Sequence, residues 1–122
     1  RKKIAHCFAG WGIPTALCLA EVKSALPDLT VFASGGLRSG LDMAKAIRLG
    51  ADLCGTATPT LQSAIGSGND VEQIIGRLVE ELRISAFCAG ASCLEELKAA
   101  RLRRHSDWNE VGLIPFSAGE TT

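Results

Sequence analysis

The fold class this sequence predicts is α/β, with parallel strands joined by helical crossovers. Three observations predict it. Two short apolar runs, residues 29–33 and 51–55, are bounded by turn residues and read as buried strands. Segments with helical spacing of apolar residues lie before, between and after them. Each strand runs out into a glycine-containing stretch, ASGGLRSG after the first and GTATP after the second. A helix between consecutive apolar strands implies parallel pairing, because antiparallel neighbours need only a tight turn.

The elements follow in order. Residues 1–13 show no clear period and are expected to be a loop. Pro14 suits the first turn of a helix, where its missing N–H costs nothing. Leu17, Leu19, Val22 and Leu26 then continue a helical stripe, which Pro27 and Asp28 break. After the first strand, Ser39 or Gly40 opens a helix with Leu41, Ala44, Ala46, Ile47 and Leu49 on its apolar face. Gly50 is a natural C-terminal cap. The second strand, ADLCGTA, ends near Gly55, a short helix is expected to open at Pro59, and GSGND reads as a turn. The longest helix spans 71–88, on the stripe Val71, Ile74, Ile75, Leu78, Val79 and Leu82. A last helix is expected from Ser92, paired with Glu95 three residues on as a capping box. From His105 onward the sequence is polar and irregular, and a mobile tail is expected. The expected organisation is one segment over 1–104 and a tail over 105–122.

Two strands are too few for the helices predicted around them. The 122 residues therefore read as a piece of a larger α/β domain. A TIM (β/α)8 barrel needs about 250 residues, and this pattern fits its C-terminal part, incomplete in this chain. The first residue is Arg1, not methionine, which suggests processing, trimming or a fragment.

Composition narrows the functional classes. Hydrophobic residues make up 47% of the chain, enough for a core, and thirteen basic residues balance thirteen acidic ones. That balance argues against a general nucleic-acid binder. No apolar run approaches the roughly 18 residues of a membrane span, and no signal peptide is visible. The five cysteines (Cys7, Cys18, Cys54, Cys88 and Cys93) are odd in number and form no C-x-x-C pair. Reduced thiols in a cytoplasmic protein are expected, and neither a disulfide framework nor a zinc site.

Three stretches carry chemistry. In SGGLR, Gly35 and Gly36 let a ligand approach the backbone because no Cβ blocks it. Exposed N–H groups there can hold phosphate oxygens, with Ser34 beside them and Arg38 adding charge; a tight turn with a solvated Arg38 is the plainer alternative. In GTATP, Gly55, Thr56, Ala57 and Thr58 precede a helix start at Pro59, where unpaired N–H groups suit phosphate and the threonine hydroxyls can donate. Loops after the last two strands of a barrel commonly build such a site together, so the pair is more specific than either stretch. In FAGWGIPT, Trp11 stands between Gly10 and Gly12. It suits a lid over a flat ligand, or simple packing on its own helix.

Other polar residues have plainer readings. His6 and His105 are expected to be structural or solvated. Asp42 and Lys45 can pair across a turn. Glu80, Glu81, Glu95 and Glu96 are expected on a solvated helix face. No nucleophile, base and orienting group form a triad pattern.

The stretch FAGWGIPTALCLAEVKSALPDLTVFASGGLRSGLDMAKAIRLGADLCGTATP, with VEELRISAFCAGASCLEEL further on, resembles the C-terminal barrel region of type 2 isopentenyl-diphosphate isomerases. The resemblance covers residues 8–97; SGGLRSGLDMAKAIRLGAD alone fits many FMN-binding barrels. It implies a TIM barrel that uses FMN, Mg2+ and NADPH as reductant to interconvert isopentenyl and dimethylallyl diphosphate, in a cytoplasmic homo-oligomer. The reduced flavin is thought to act in proton transfer without net redox change. By resemblance, Gly35, Gly36 and Arg38, with Ser34, match the FMN-phosphate loop. Ala57 falls in the second phosphate loop with Gly55, Thr56 and Thr58, and Trp11 and Gly12 match a loop that closes over the substrate.

The sequence departs from the family at Gly10, where an acidic residue is usual, and at Thr58, where glycine is common. No residue here matches the family's Gln and Glu, which serve proton transfer and magnesium. The isolated chain is therefore expected to be inactive, with no catalytic residue of its own. Two alternatives stand beside this reading. One is another FMN barrel, of the 2-hydroxy-acid oxidase or inosine-monophosphate-dehydrogenase kind. The oxidases need a His-Gly-x-Arg stretch, whereas His6 is followed by Cys-Phe-Ala. The other is a non-catalytic phosphate-binding fragment.

Overall fold

A computed structural model describes residues 2–57 and 68–103. The order is α1 (Lys2–Cys7), α2 (Thr15–Ala25), β1 (Phe32–Ala33), α3 (Gly40–Arg48), β2 (Leu53–Cys54), α4 (Gly68–Cys88) and α5 (Leu94–Ala99). The expected helix after Pro59, Thr58 itself and the expected tail lie outside the described residues.

The strands are parallel, with Phe32 opposite Leu53 and Ala33 opposite Cys54. They are shorter than expected, because pairing reaches regular geometry over only two residues. Beyond that the ladder is carried by single bonds, Asp52 N to Val31 O and Gly55 N to Ala33 O, both 2.8 Å. Alternation along each strand sorts the two faces. Ala33 is buried and Cys54 half-buried against the helices, whereas Phe32 and Leu53 remain 70% and 56% exposed. The helices thus cover one face of the sheet, and a registered apolar pair stands on the other.

α3 lies at the centre. Ala46 joins Leu19, Ala33, Leu37 and Ala51 in one buried cluster. Ala44 and Ile47 join Ala91 and Leu97 in a second. Alanines at these positions let the helix backbones come close. At its C-terminal end Ala51 N returns to Ala46 O at 3.0 Å, the cap expected at Gly50. Arg48 Nε donates to Ala100 O and ties α3 to the end of α5.

Several sequence expectations change. Residues 2–7 are helical and not loop; one short turn of Lys, Ile and Ala needs no apolar stripe to form. Gly68 to Asp70 belong to α4, not to a turn. Poor helix formers are tolerated there because the first turn's N–H groups lack intrahelical partners anyway. The cap of α5 is shifted by one residue: Cys93, not Ser92, is the N-cap. The reciprocal bond is made by Glu96, whose Oε2 accepts from Ser92 N at 2.6 Å and Ser92 Oγ at 2.8 Å. Glu96 is therefore a capping group and not merely a solvated charge.

The N-terminal ends of the strands are held by charge. Asp52 Oδ1 accepts from Lys98 Nζ at 2.8 Å, and Oδ2 accepts from Val31 N at 2.9 Å. Lys23 Nζ lies 3.4 Å from the same carboxylate and donates to Leu29 O at 2.6 Å. The Lys98 ammonium first, then the Val31 N–H, hold the Asp52 carboxyl below the usual carboxylate range. A depressed folded-state pKa adds stability above the ordinary value of about 3.9, which is lost as pH falls through the depressed value. Urea-unfolding midpoints taken from about pH 6 down to about pH 2 are expected to fall less steeply in Asp52→Asn than in wild type.

Candidate functional site

Parallel pairing puts both glycine stretches at one edge. The register continues from Ala33 and Cys54 to Ser34 and Gly55. A Cβ on Gly55 would lie 3.6 Å from Ser34 Oγ. Ser34 thus stands beside Gly55 where the two strands end.

The two loops are also bonded to each other. Thr56 Oγ1 donates to Leu37 O at 2.6 Å. A hydroxyl has one hydrogen, so Thr56 spends its expected donor on this strut. Leu37 is buried in the core and anchors the loop from below. On the other side, Thr15 Oγ1 at the start of α2 donates to Gly35 O at 2.8 Å. Across a trans peptide the carbonyl and the next N–H point oppositely. Gly36 N–H is therefore aimed away from α2.

Gly35 and Gly36 have φ of +95° and +76°, the left-handed region that glycine enters without steric cost. Their N–H groups have no acceptor among the described residues. A Cβ at Gly36 would meet nothing within 4 Å. The turn therefore offers two uncommitted main-chain donors, as an anion cradle requires.

The start of α3 is different, because carboxylates already occupy it. Ser39 Oγ accepts from Asp42 N at 3.1 Å, and Asp42 Oδ2 accepts from Ser39 N and Arg38 N, each at 3.1 Å. Arg38 N–H first, then the Ser39 hydroxyl, hold the Asp42 carboxyl below the usual range. Gly40 N donates to Glu81 Oε2 at 2.7 Å. Asp42 thus caps its own helix, and the Lys45 charge adds to holding its carboxyl down. Arg38's side chain is exposed and has no ion-pair partner among the described residues.

Trp11 lies apart from these loops. It is 81% exposed and meets Phe8 edge-on, with ring centroids 5.8 Å apart. Gly10 and Gly12 flank it at φ of +82° and +137°. Four residues later Thr15 is bonded to Gly35, so the Trp11 loop is tethered to the glycine turn. Among the described residues no group of three His, Cys, Asp or Glu could hold a metal ion, and no helix is long and apolar enough to cross a membrane.

Of the residues singled out in the sequence, Ser34 stands beside Gly55, Gly35 and Gly36 form the turn, Arg38 is exposed, and Thr56 bonds Leu37 O. Sequence reasoning missed the struts from Thr15 and Glu81. The Ser39-x-x-Asp42 spacing was a readable capping signal; nothing local marks Glu81.

A pair of parallel strands with a glycine donor turn at their C-terminal edge defines a class. This chain belongs to the FMN-dependent dehydrogenase family, which matches residues 11–104. Within it, the chain is similar to the isopentenyl-diphosphate delta-isomerase of Xanthobacter autotrophicus, 48% identical over 101 residues, 83% of this chain and 29% of that protein. It is equally similar to the enzyme of that name from Stutzerimonas stutzeri, 48% identical over 102 residues, 84% of this chain and 30% of that one. The chain thus spans about 30% of the length of these curated relatives.

Solved structures of mandelate oxidase share the fold. One with benzoyl-formic acid superposes with a TM-score of 0.70 at 28% identity, over 75% of this chain and 28% of that one. A mutant with the monooxide FMN adduct gives 0.70 at 28% identity, over 75% and 30%. The fold is part of a TIM barrel, as the sequence predicted.

Proposed function

We propose that this chain forms the FMN-phosphate end of an FMN-dependent isomerase that interconverts isopentenyl and dimethylallyl diphosphate. The observation that carries the reading is the glycine turn, where the Gly35 and Gly36 N–H groups have no acceptor among the described residues, with Ser34 beside Gly55 of the neighbouring strand end. Such a turn fits a phosphate monoester: two main-chain donors, room for oxygen atoms at Gly36, and the Arg38 guanidinium to add charge. Ser34 and Thr58 complete the set in this reading. Because Thr56's hydroxyl is committed to Leu37 O, its contribution is to hold the two loops at fixed spacing.

The bound flavin, reduced by NADPH, supplies the proton-transfer chemistry. Trp11 and Gly12 form a lid over the substrate, on a loop registered to the phosphate turn through Thr15. The Gln and Glu that would serve proton transfer and Mg2+ belong to earlier strands of the barrel, and no residue here matches them; the whole enzyme is read as a cytoplasmic homo-oligomer. Residues 1–104 are the barrel segment and 105–122 a tail.

The isomerase reading is favoured over a 2-hydroxy-acid oxidase by similarity, 48% against 28% identity. FMN is expected to bind the chain at least about tenfold more tightly than riboflavin, as one or two charged hydrogen bonds imply. Equal affinities in a fluorescence titration would refute the phosphate site. No isomerase turnover is expected from the purified 122 residues with FMN, NADPH and Mg2+.

A further inference from the structure

Glu81, expected on a solvated face, instead reaches from α4 to the first residue of α3. Its Oε2 accepts from Gly40 N at 2.7 Å, across 41 positions of sequence. The residue is itself held: Arg77 Nε lies 3.7 Å from Oε1, and Ser85 Oγ donates to Glu81 O at 2.7 Å. The two helices touch here with no slack. A Cβ on Gly40 would stand 2.4 Å from both Leu78 O and Leu82 N.

Gly40 closes the segment that begins at Gly35. Three separate elements grip that segment. α2 holds Gly35 O through Thr15, the loop after β2 holds Leu37 O through Thr56, and α4 holds Gly40 N through Glu81. None of these bonds uses the N–H groups of Gly35 or Gly36. Asp42 Oδ2 also accepts from Arg38 N and Ser39 N inside the segment, and the Glu81 bond fixes its last residue to α4. Preorganised donors bind an anion without first paying to be ordered.

We infer that Glu81 is a positioning residue for the glycine turn, setting the direction in which Gly35 and Gly36 present their N–H groups to a phosphate ester. The inference rests on the reading of this turn as a phosphate site. Reach, not charge, is the operative property of Glu81, since a carboxylate near an anion opposes its binding. Glutamine keeps the acceptor at the same reach and loses the charge. Aspartate keeps the charge and falls one methylene short.

The test titrates FMN into the 122-residue chain, following flavin fluorescence and the amide resonances of Gly35 and Gly36. Wild type is expected to shift both resonances. Glu81→Gln is expected to stay within about threefold of wild-type affinity and to keep both shifts, whereas Glu81→Asp binds about tenfold more weakly and loses them. Unliganded melting temperatures report any general loss of structure, and Glu81→Asp is expected to lose the two shifts while its melting temperature stays close to wild type. Wild-type affinity in Glu81→Asp, or equal weakening in both variants, overturns the inference. Equal wild-type affinities for FMN and riboflavin overturn instead the phosphate reading on which it depends.

Discussion

Gly40→Ala is expected to destabilise the chain by about 3 kcal/mol, the upper range for overpacking a tight contact. The new methyl would sit 2.4 Å from Leu78 O and Leu82 N and 2.6 Å from Glu81 Cβ. Two of these atoms are backbone of a 21-residue helix, which no side-chain rotation can clear. The helices must separate, and the Glu81 bond to Gly40 N goes with their contact. Ala44 and Ile47 then lose close packing against Ala91 and Leu97, the second buried cluster. Gly76 provides the control. It is exposed within α4, and a Cβ there would meet nothing within 4 Å. Gly76→Ala is expected to stabilise by about 0.5–1 kcal/mol, because glycine loses more backbone freedom on folding. Urea unfolding of both variants checks the pair. Equal effects would show that the α3–α4 contact is looser than described.

Gly36→Ala is expected to weaken FMN binding by about thirtyfold while leaving riboflavin affinity unchanged, since a lost charged hydrogen bond is worth about 2 kcal/mol. Its φ of +76° costs an alanine roughly 1 kcal/mol, and the turn relaxes toward negative φ. That rotation swings the Gly36 N–H, which the Thr15 bond to Gly35 O had aimed outward. The added Cβ meets nothing within 4 Å, so the loss comes from the backbone and not from a clash. Parallel FMN and riboflavin titrations measure the effect, and equal losses for both ligands would remove the turn from the phosphate site.

Much of the fold was legible because it is local. The stripe from Val71 to Leu82 repeats at helical spacing, and α4 forms on it. Ser39 and Gly40 open α3 where a small polar residue followed by an apolar run says they should. Adjacent glycines after an apolar strand announce a turn with positive φ, and Gly35 and Gly36 adopt it. Errors arose where several local solutions compete. Ser92 and Cys93 are both able to start α5, and the choice went to the frame in which Glu96 reaches back to Ser92 N.

The site divides in the same way. By itself the sequence determined that this is α/β, which residues make the two glycine turns, and which family they resemble. These properties reside in spacing along the chain. Only the tertiary structure decided that Ser34 stands beside Gly55, that Thr56 spends its hydroxyl on Leu37, that Thr15 bonds Gly35 O and that Glu81 bonds Gly40 N. It also set Phe32 and Leu53 together on the uncovered sheet face. Hydrogen bonds between residues 19 to 41 positions apart leave no periodic trace. They exist only once parallel pairing and helix packing have brought their partners together.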